Sequence, residues 1–153
     1  MRNLTPDEFQ KKWPKLRPGN YREASRANPR YQCMAFANGD ERHRWEFGLY
    51  GGRYYWPEGL GDTLYDWSEI FIRQGYAVTD VTDRDSEPGF EKVAIYADRM
   101  GNFHVAISDG TSWKSKLGSY QDIKHATLEL LEGFEKCEYG SVVVILKRRS
   151  RSI

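Results

Sequence analysis

The sequence predicts an α+β fold in which N-terminal helices pack on a small antiparallel sheet. Two helix-start signals stand in the first half of the chain, Thr5-Pro6-Asp7-Glu8 and Asp62-Thr63. Short β-branched and aromatic segments separated by tight turns fill the stretch from Tyr76 to Lys116. A continuous apolar run, Ser141-Val142-Val143-Val144-Ile145-Leu146, follows Gly140 and precedes a basic end. At 153 residues the chain is expected to form one domain with its own core.

Taken in order, Thr5-Pro6-Asp7-Glu8 fits a capping box with Pro at the first helical position, so a helix runs from there to about Trp13 and stops at Pro14. Leu16 to Arg30, with Pro18, Gly19, Asn20, Asn28 and Pro29, reads as an irregular approach. Residues 1–30 are thus a helix and a connector. Small and apolar residues after Cys33 predict a second helix of about two turns before Gly39. Asn38 to Leu60 is polar, aromatic and Gly-rich, and reads as a long ordered loop whose Trp45, Tyr54, Tyr55 and Trp56 line a groove or pack as satellites of the core. A third helix extends from Asp62-Thr63 through Gln74, with Leu64, Trp67, Ile70 and Phe71 at helical spacing and Gly75 as its stop.

Tyr76–Val81 and Phe90–Ala97 then read as strands, and the Asp98-Arg99-Met100-Gly101 turn leads into a third. Phe103, Val105 and Ile107 occupy one face of that strand and His104 the other. An Asp109-Gly110 two-residue turn would pair Ser108 with Thr111 and set His104 opposite Ser115. Tyr120 to Leu131 reads as a helix ended by Gly133, and Ser141 to Leu146 as a strand buried on both faces. Residues 148–153 form a basic, solvated tail.

Lys and Arg number 23 against 22 Asp and Glu, a net charge of +1. That balance predicts no general attraction to nucleic acid or to a membrane surface. No apolar stretch reaches the roughly 18–20 residues that span a bilayer, and Met1 to Glu8 lacks the apolar core of a signal peptide. The expected location is the cytoplasm, or the exterior by a route without an N-terminal signal peptide. Cys33 and Cys137 stand outside any Cys-rich framework and read as free thiols. CxxC, HExxH, GxGxxG and P-loop patterns do not occur, so no metal and no cofactor is expected.

Cys33 carries the chemical argument. A thiol at a helix N-terminus meets the positive end of the helix dipole, which favours the nucleophilic thiolate. It needs a base within hydrogen-bond reach and a third group that holds the base, and His104 and Ser115 are the candidates. The Cys33 backbone N–H, with the Gln32 side chain as second donor, would face an oxyanion. The plain alternatives are a Cys33 that packs as a small hydrophobe, a His104 satisfied within the sheet, and a His125 that caps or decorates a helix surface. Cys137 and His43 sit in polar loops and carry no role.

Phe90-Glu91-Lys92-Val93-Ala94-Ile95-Tyr96, a turn, and Phe103-His104-Val105-Ala106-Ile107 resemble the paired strands of the compact papain-like cysteine hydrolases, the NlpC-type and CHAP-type amidases and peptidases. There, too, a helical Cys precedes a sheet whose His opens the second strand. Trp113-Lys114-Ser115-Lys116-Leu117-Gly118, Asp122-Ile123-Lys124-His125 and Tyr139-Gly140 resemble an uncharacterised bacterial family grouped near those hydrolases. The likeness covers about Tyr31 to Lys147 and implies a papain-like fold, with Cys33 as nucleophile and His104 as general base and acid. The family's third residue is usually His, Asn or Gln; here Ser115 holds that register. His125 and Gln121 are the substitutes, and a three-residue turn would bring Lys116 opposite His104 instead.

The expected function is a cysteine-dependent amide hydrolase, a peptidase, amidase or deamidase, acting on a peptide or other amide. An inhibitor or immunity protein is a conceivable partner. The alternative is a non-catalytic binding module on the same fold that uses the Trp45 to Trp67 aromatics as a recognition surface.

Overall fold

The computed structural model describes residues 2–151. Helix α1 (Pro6–Lys12) starts on the anticipated capping box: the Thr5 hydroxyl accepts from the Glu8 N–H at 3.3 Å, and the Glu8 carboxylate accepts from the Thr5 N–H at 3.0 Å. α2 (Cys33–Ala37) starts at the cysteine and ends at Asn38. The adjoining Gly39 has φ +71°, a left-handed turn that suits glycine. α3 (Leu64–Ile72) is capped by Thr63 and Asp66 as a second capping box.

Seven strands form one antiparallel sheet in the order β1-β8-β7-β6-β5-β9-β4. They are β1 (Tyr21–Ser25), β4 (Ala77–Thr79), β5 (Phe90–Ala97), β6 (Phe103–Ser108), β7 (Trp113–Lys116), β8 (Asp122–His125) and β9 (Ser141–Arg149). A two-stranded parallel ribbon, β2 (Arg44–Trp45) with β3 (Tyr54–Tyr55), is the regular part of the predicted long loop. The fold is α+β. No helix among the described residues is long and apolar enough to cross a membrane.

The two sheet faces are sorted by the period of two along the central strands. Ala94, Tyr96 and Ala106 face α1, where Phe9, Trp13 and Leu16 join Trp113, Ile123 and Leu128 in one core. Val93, Ile95 and Val105 face α2 and α3, where Met34, Ile70, Phe71 and Leu146 form the other. Helices therefore cover both faces.

Four expectations are corrected. Tyr120 to Leu131 is not a helix but β8 followed by a short 3-10 turn, Leu128–Leu131. Asp122 to His125 gain hydrogen-bonded partners on both sides, β1 and β7, and tertiary pairing outweighs a local helical stripe. The approach segment contains β1, an edge strand whose exposed Arg22, Glu23 and Ala24 show no apolar alternation. Arg148 and Arg149 belong to β9 rather than to a solvated tail. Arg148 donates to the Gln74 carbonyl at 2.6 Å and to Glu91 at 3.0 Å, and its guanidinium lies over Tyr76. The rest of the predicted tail at 152–153 lies outside the described residues. β9 itself is not uniformly buried: the ladder to β5 passes from Ile95↔Val144 to Tyr96↔Val142, and the skipped Val143 is 40% exposed.

Candidate active site

Cys33 is the first residue of α2, and α2 packs against β6 and β7. Only two pairs join those strands, Ile107↔Lys114 and Ser108↔Trp113. Beyond Ile107 the strand is free of β7, and there Val105 packs in one cluster with Cys33, the backbone N–H groups of Val105, Met34 and Cys33 lying near the thiol. These donors and the Lys116 ammonium favour the thiolate, but burial opposes it more strongly and pushes the thiol's pKa up. The helix start therefore does not produce a resting thiolate, because the sulfur is nearly sealed at 9% exposure. What reaches it is a cleft of about 360 Å³ lined by Trp45, Phe47, Trp56, Trp67 and Phe103, with Glu46 and Asp62 among its polar groups.

Gln32 precedes the thiol but is not aimed as an oxyanion donor. Its carboxamide donates to the Trp45 carbonyl at 2.8 Å and accepts from the Trp45 N–H at 3.0 Å, which fixes β2 beside the cleft.

His104 lies one residue before Val105 and projects to the α1 face, where Tyr96 is its ladder partner. It is buried, and its ring stacks on Tyr139 with centroids 3.8 Å apart and planes within 4°. Its Nε2 has no hydrogen-bond partner among the described residues. Burial first, and His125 second, hold its pKa well below the usual 6.5. The expected pairing of Cys33 with His104 is not formed: the sulfur packs with Val105 on the α2 face, while the imidazole, one residue earlier on the strand, leaves the sheet on the other face.

The predicted third residue is displaced. Asp109 closes a turn on Thr111, accepting from its N–H at 3.0 Å and its hydroxyl at 2.6 Å, so the β6–β7 connection has four residues rather than two. The register shifts, and Ser115 stands against Ile123 of β8 instead of His104. Its hydroxyl is 2.8 Å from His125 Nε2, and His125 Nδ1 is 2.9 Å from the Thr127 carbonyl. The carbonyl fixes the proton on Nδ1, so Ser115 donates to Nε2. His125 is therefore a buried strand histidine, its pKa lowered to about 4 by burial, and not a helix-surface residue.

Lys116 and Gln121 are also placed elsewhere. The Lys116 ammonium is buried and donates to the carbonyls of Asn28 at 3.0 Å, Gly118 at 2.9 Å and Tyr120 at 2.6 Å, 4.8 Å from the centre of the Tyr31 ring. Burial lowers its pKa to about 8. Gln121 clasps the Leu4 backbone through two 2.9 Å bonds and donates to Glu23 at 2.6 Å, tying the chain before α1 to the β1 edge. The residue that does touch His104 is Tyr139, which stood in the sequence as half of a Tyr-Gly pair with no local signal for a ring stack. No group of three or more His, Cys, Asp or Glu poised to hold a metal occurs among the described residues.

One family model, a domain of unknown function named DUF7689, matches residues 22–147. The chain belongs to the DUF7689 family. The matched span runs from β1 into β9 and includes Cys33, His104, Ser115, His125 and Tyr139, so the whole candidate site is DUF7689 sequence. No curated protein and no solved structure matches the chain.

Proposed function

We propose that this DUF7689 chain is a cysteine-dependent amide hydrolase on a papain-like fold, with Cys33 as nucleophile and His104 as its base. The observation that carries the reading is a thiol at the first residue of a helix and in the wall of an aromatic cleft, packed against the strand that holds a buried histidine. Both groups are held in their neutral forms on opposite faces of β6, so the reading requires the His104 ring to turn from Tyr139 toward the thiol. The proton then leaves sulfur for imidazole as the sulfur attacks the amide carbon. The C–N bond then breaks, the imidazolium protonates the departing amine, and a thioester remains for water or another acyl acceptor. The helix-start N–H groups supply donors to the developing oxyanion. With Ser115 bonded to His125, the ring of His104 is steadied by its stack on Tyr139 in place of a hydrogen-bonding third residue.

A second reading is favoured by the exposed rings near the cleft. Phe47, which lines the cleft, is 50% exposed, and Tyr55, packed on Trp45, is 44% exposed, a surface that suits a non-catalytic recognition module. Iodoacetamide labelling of the native protein separates the two. Under the enzyme reading Cys33 is alkylated between about pH 6 and 8, and His104→Gln slows that alkylation about tenfold or more without changing Cys137. Labelling of Cys33 that is unaffected by His104→Gln, or that requires denaturant, overturns the proposal.

A further inference from the structure

Most arginines whose guanidinium meets a carboxylate are part of the scaffold. Arg2 pairs with Glu8, Arg44 with Glu46, Arg84 with Glu129 and Glu132, and Arg148 with Glu91. Arg30, Arg42 and Arg53 differ. Their side chains make neither an ion pair nor a hydrogen bond among the described residues, yet with Pro29 they line one depression of about 450 Å³ that has no carboxylate in its wall. In a chain whose net charge is +1, this convergence is local.

We infer that Arg30, Arg42 and Arg53 form a binding site for a small ligand carrying a diphosphate or two adjacent phosphates. Three guanidiniums around one hollow repel one another, and a multiply charged anion relieves that repulsion while accepting paired N–H bonds from each fork. A lone monocarboxylate would leave most of that positive charge uncompensated. The volume lies in the range of small-molecule sites. The three arginines converge on one depression, and the chain is near neutral, which does not suit a nucleic-acid track.

The backbone under the three side chains is held. The Arg30 N–H bonds Asn28 Oδ1 at 2.9 Å, the Arg42 N–H bonds Asp40 Oδ1 at 2.8 Å, and the Arg53 carbonyl accepts from the Arg44 N–H at 2.7 Å. Arg44 also donates to the Pro29 carbonyl at 2.7 Å, which joins the wall of the hollow to the β2–β3 ribbon. The acidic residues nearest in sequence are not in the way: Asp40 is bonded to His43 and to the indole of Trp45, and Glu41 does not line the hollow. The site stands independently of the Cys33–His104 reading.

Isothermal titration of the full chain with inorganic pyrophosphate at low salt tests it. Saturable one-site binding is expected, about tenfold or more weaker in Arg42→Gln/Arg53→Gln, because hydrogen bonds to charged groups are lost. Both positions are exposed and their side chains unbonded, so the fold of that variant is retained and its circular dichroism checks it. Arg22→Gln/Lys124→Gln, which removes the same charge from an exposed β1–β8 pair, leaves binding unchanged. No saturable binding at millimolar pyrophosphate, an equal loss in the control, or citrate binding as tightly as pyrophosphate overturns the assignment.

Discussion

His104 is the residue on which the chemistry turns, and its contacts are unusual for a buried imidazole. A buried polar nitrogen without a partner is costly, yet Nε2 is left open while the ring face is covered by Tyr139 at 3.8 Å. The stack orients the ring through contact rather than through a hydrogen bond. Tyr139→Leu removes that contact, and it is expected to lower the alkylation rate of Cys33 much as His104→Gln does, at a stability cost of about 1 kcal/mol from the lost ring pairing. Tyr139→Phe keeps the ring and is expected to keep the rate. Equal rates in Leu and Phe variants would show that the tyrosine only fills space. At this scale the sequence was partly legible: Cys33 at a helix start and His104 on a strand both stand where the pattern puts them. Ser115 did not, because an Asx turn at Asp109 lengthens the loop, and no residue count at an Asp-Gly pair distinguishes a two-residue from a four-residue connection.

At the level of elements, legibility followed the location of the information. The three helices carry their own start signals in Thr5, Thr63 and the run after Cys33, and β5 and β6 carry their own alternation, so each is readable locally. β1 and β8 exist because they pair with each other and with β7; taken alone, Tyr-Arg-Glu-Ala-Ser and Asp-Ile-Lys-His have no strand pattern. β9 shows the same dependence at the residue just before it. Gly140 has φ +80°, and a Cβ placed there would run into the Ala97 carbonyl of β5. Gly140→Ala therefore forces the β5–β9 ladder apart where it begins, with an expected loss of roughly 2 kcal/mol. Thermal unfolding measures it, and a melting temperature equal to that of the wild type would mean that this end of the ladder gives way without cost.

Across the whole molecule, covering both sheet faces buries two histidines in the same layer, His104 and His125, each 1% exposed. Both have folded-state pKa values depressed mainly by burial, His125 to about 4 and His104 well below 6.5. Between about pH 6.5 and 4 the unfolded chain therefore binds protons that the folded chain refuses, and folding stability falls as the pH falls through that window. Each tenfold difference in proton affinity between the folded and unfolded chain is worth about 1.4 kcal/mol, so His125 alone corresponds to about 2–3 kcal/mol lost by about pH 4.5. His104 adds in the same direction. Carboxylates held below their ordinary pKa by partners, such as Asp83 beside Lys92 and Lys147, lose their contribution at lower pH, so the first part of the acid loss belongs to the histidines. Urea midpoints measured at pH 7.5, 6.0 and 4.5 are expected to drop steadily in the wild type and to drop less in His125→Gln, where one of the two refused protons has no site. The same slope in both proteins would place the acid sensitivity elsewhere in the fold.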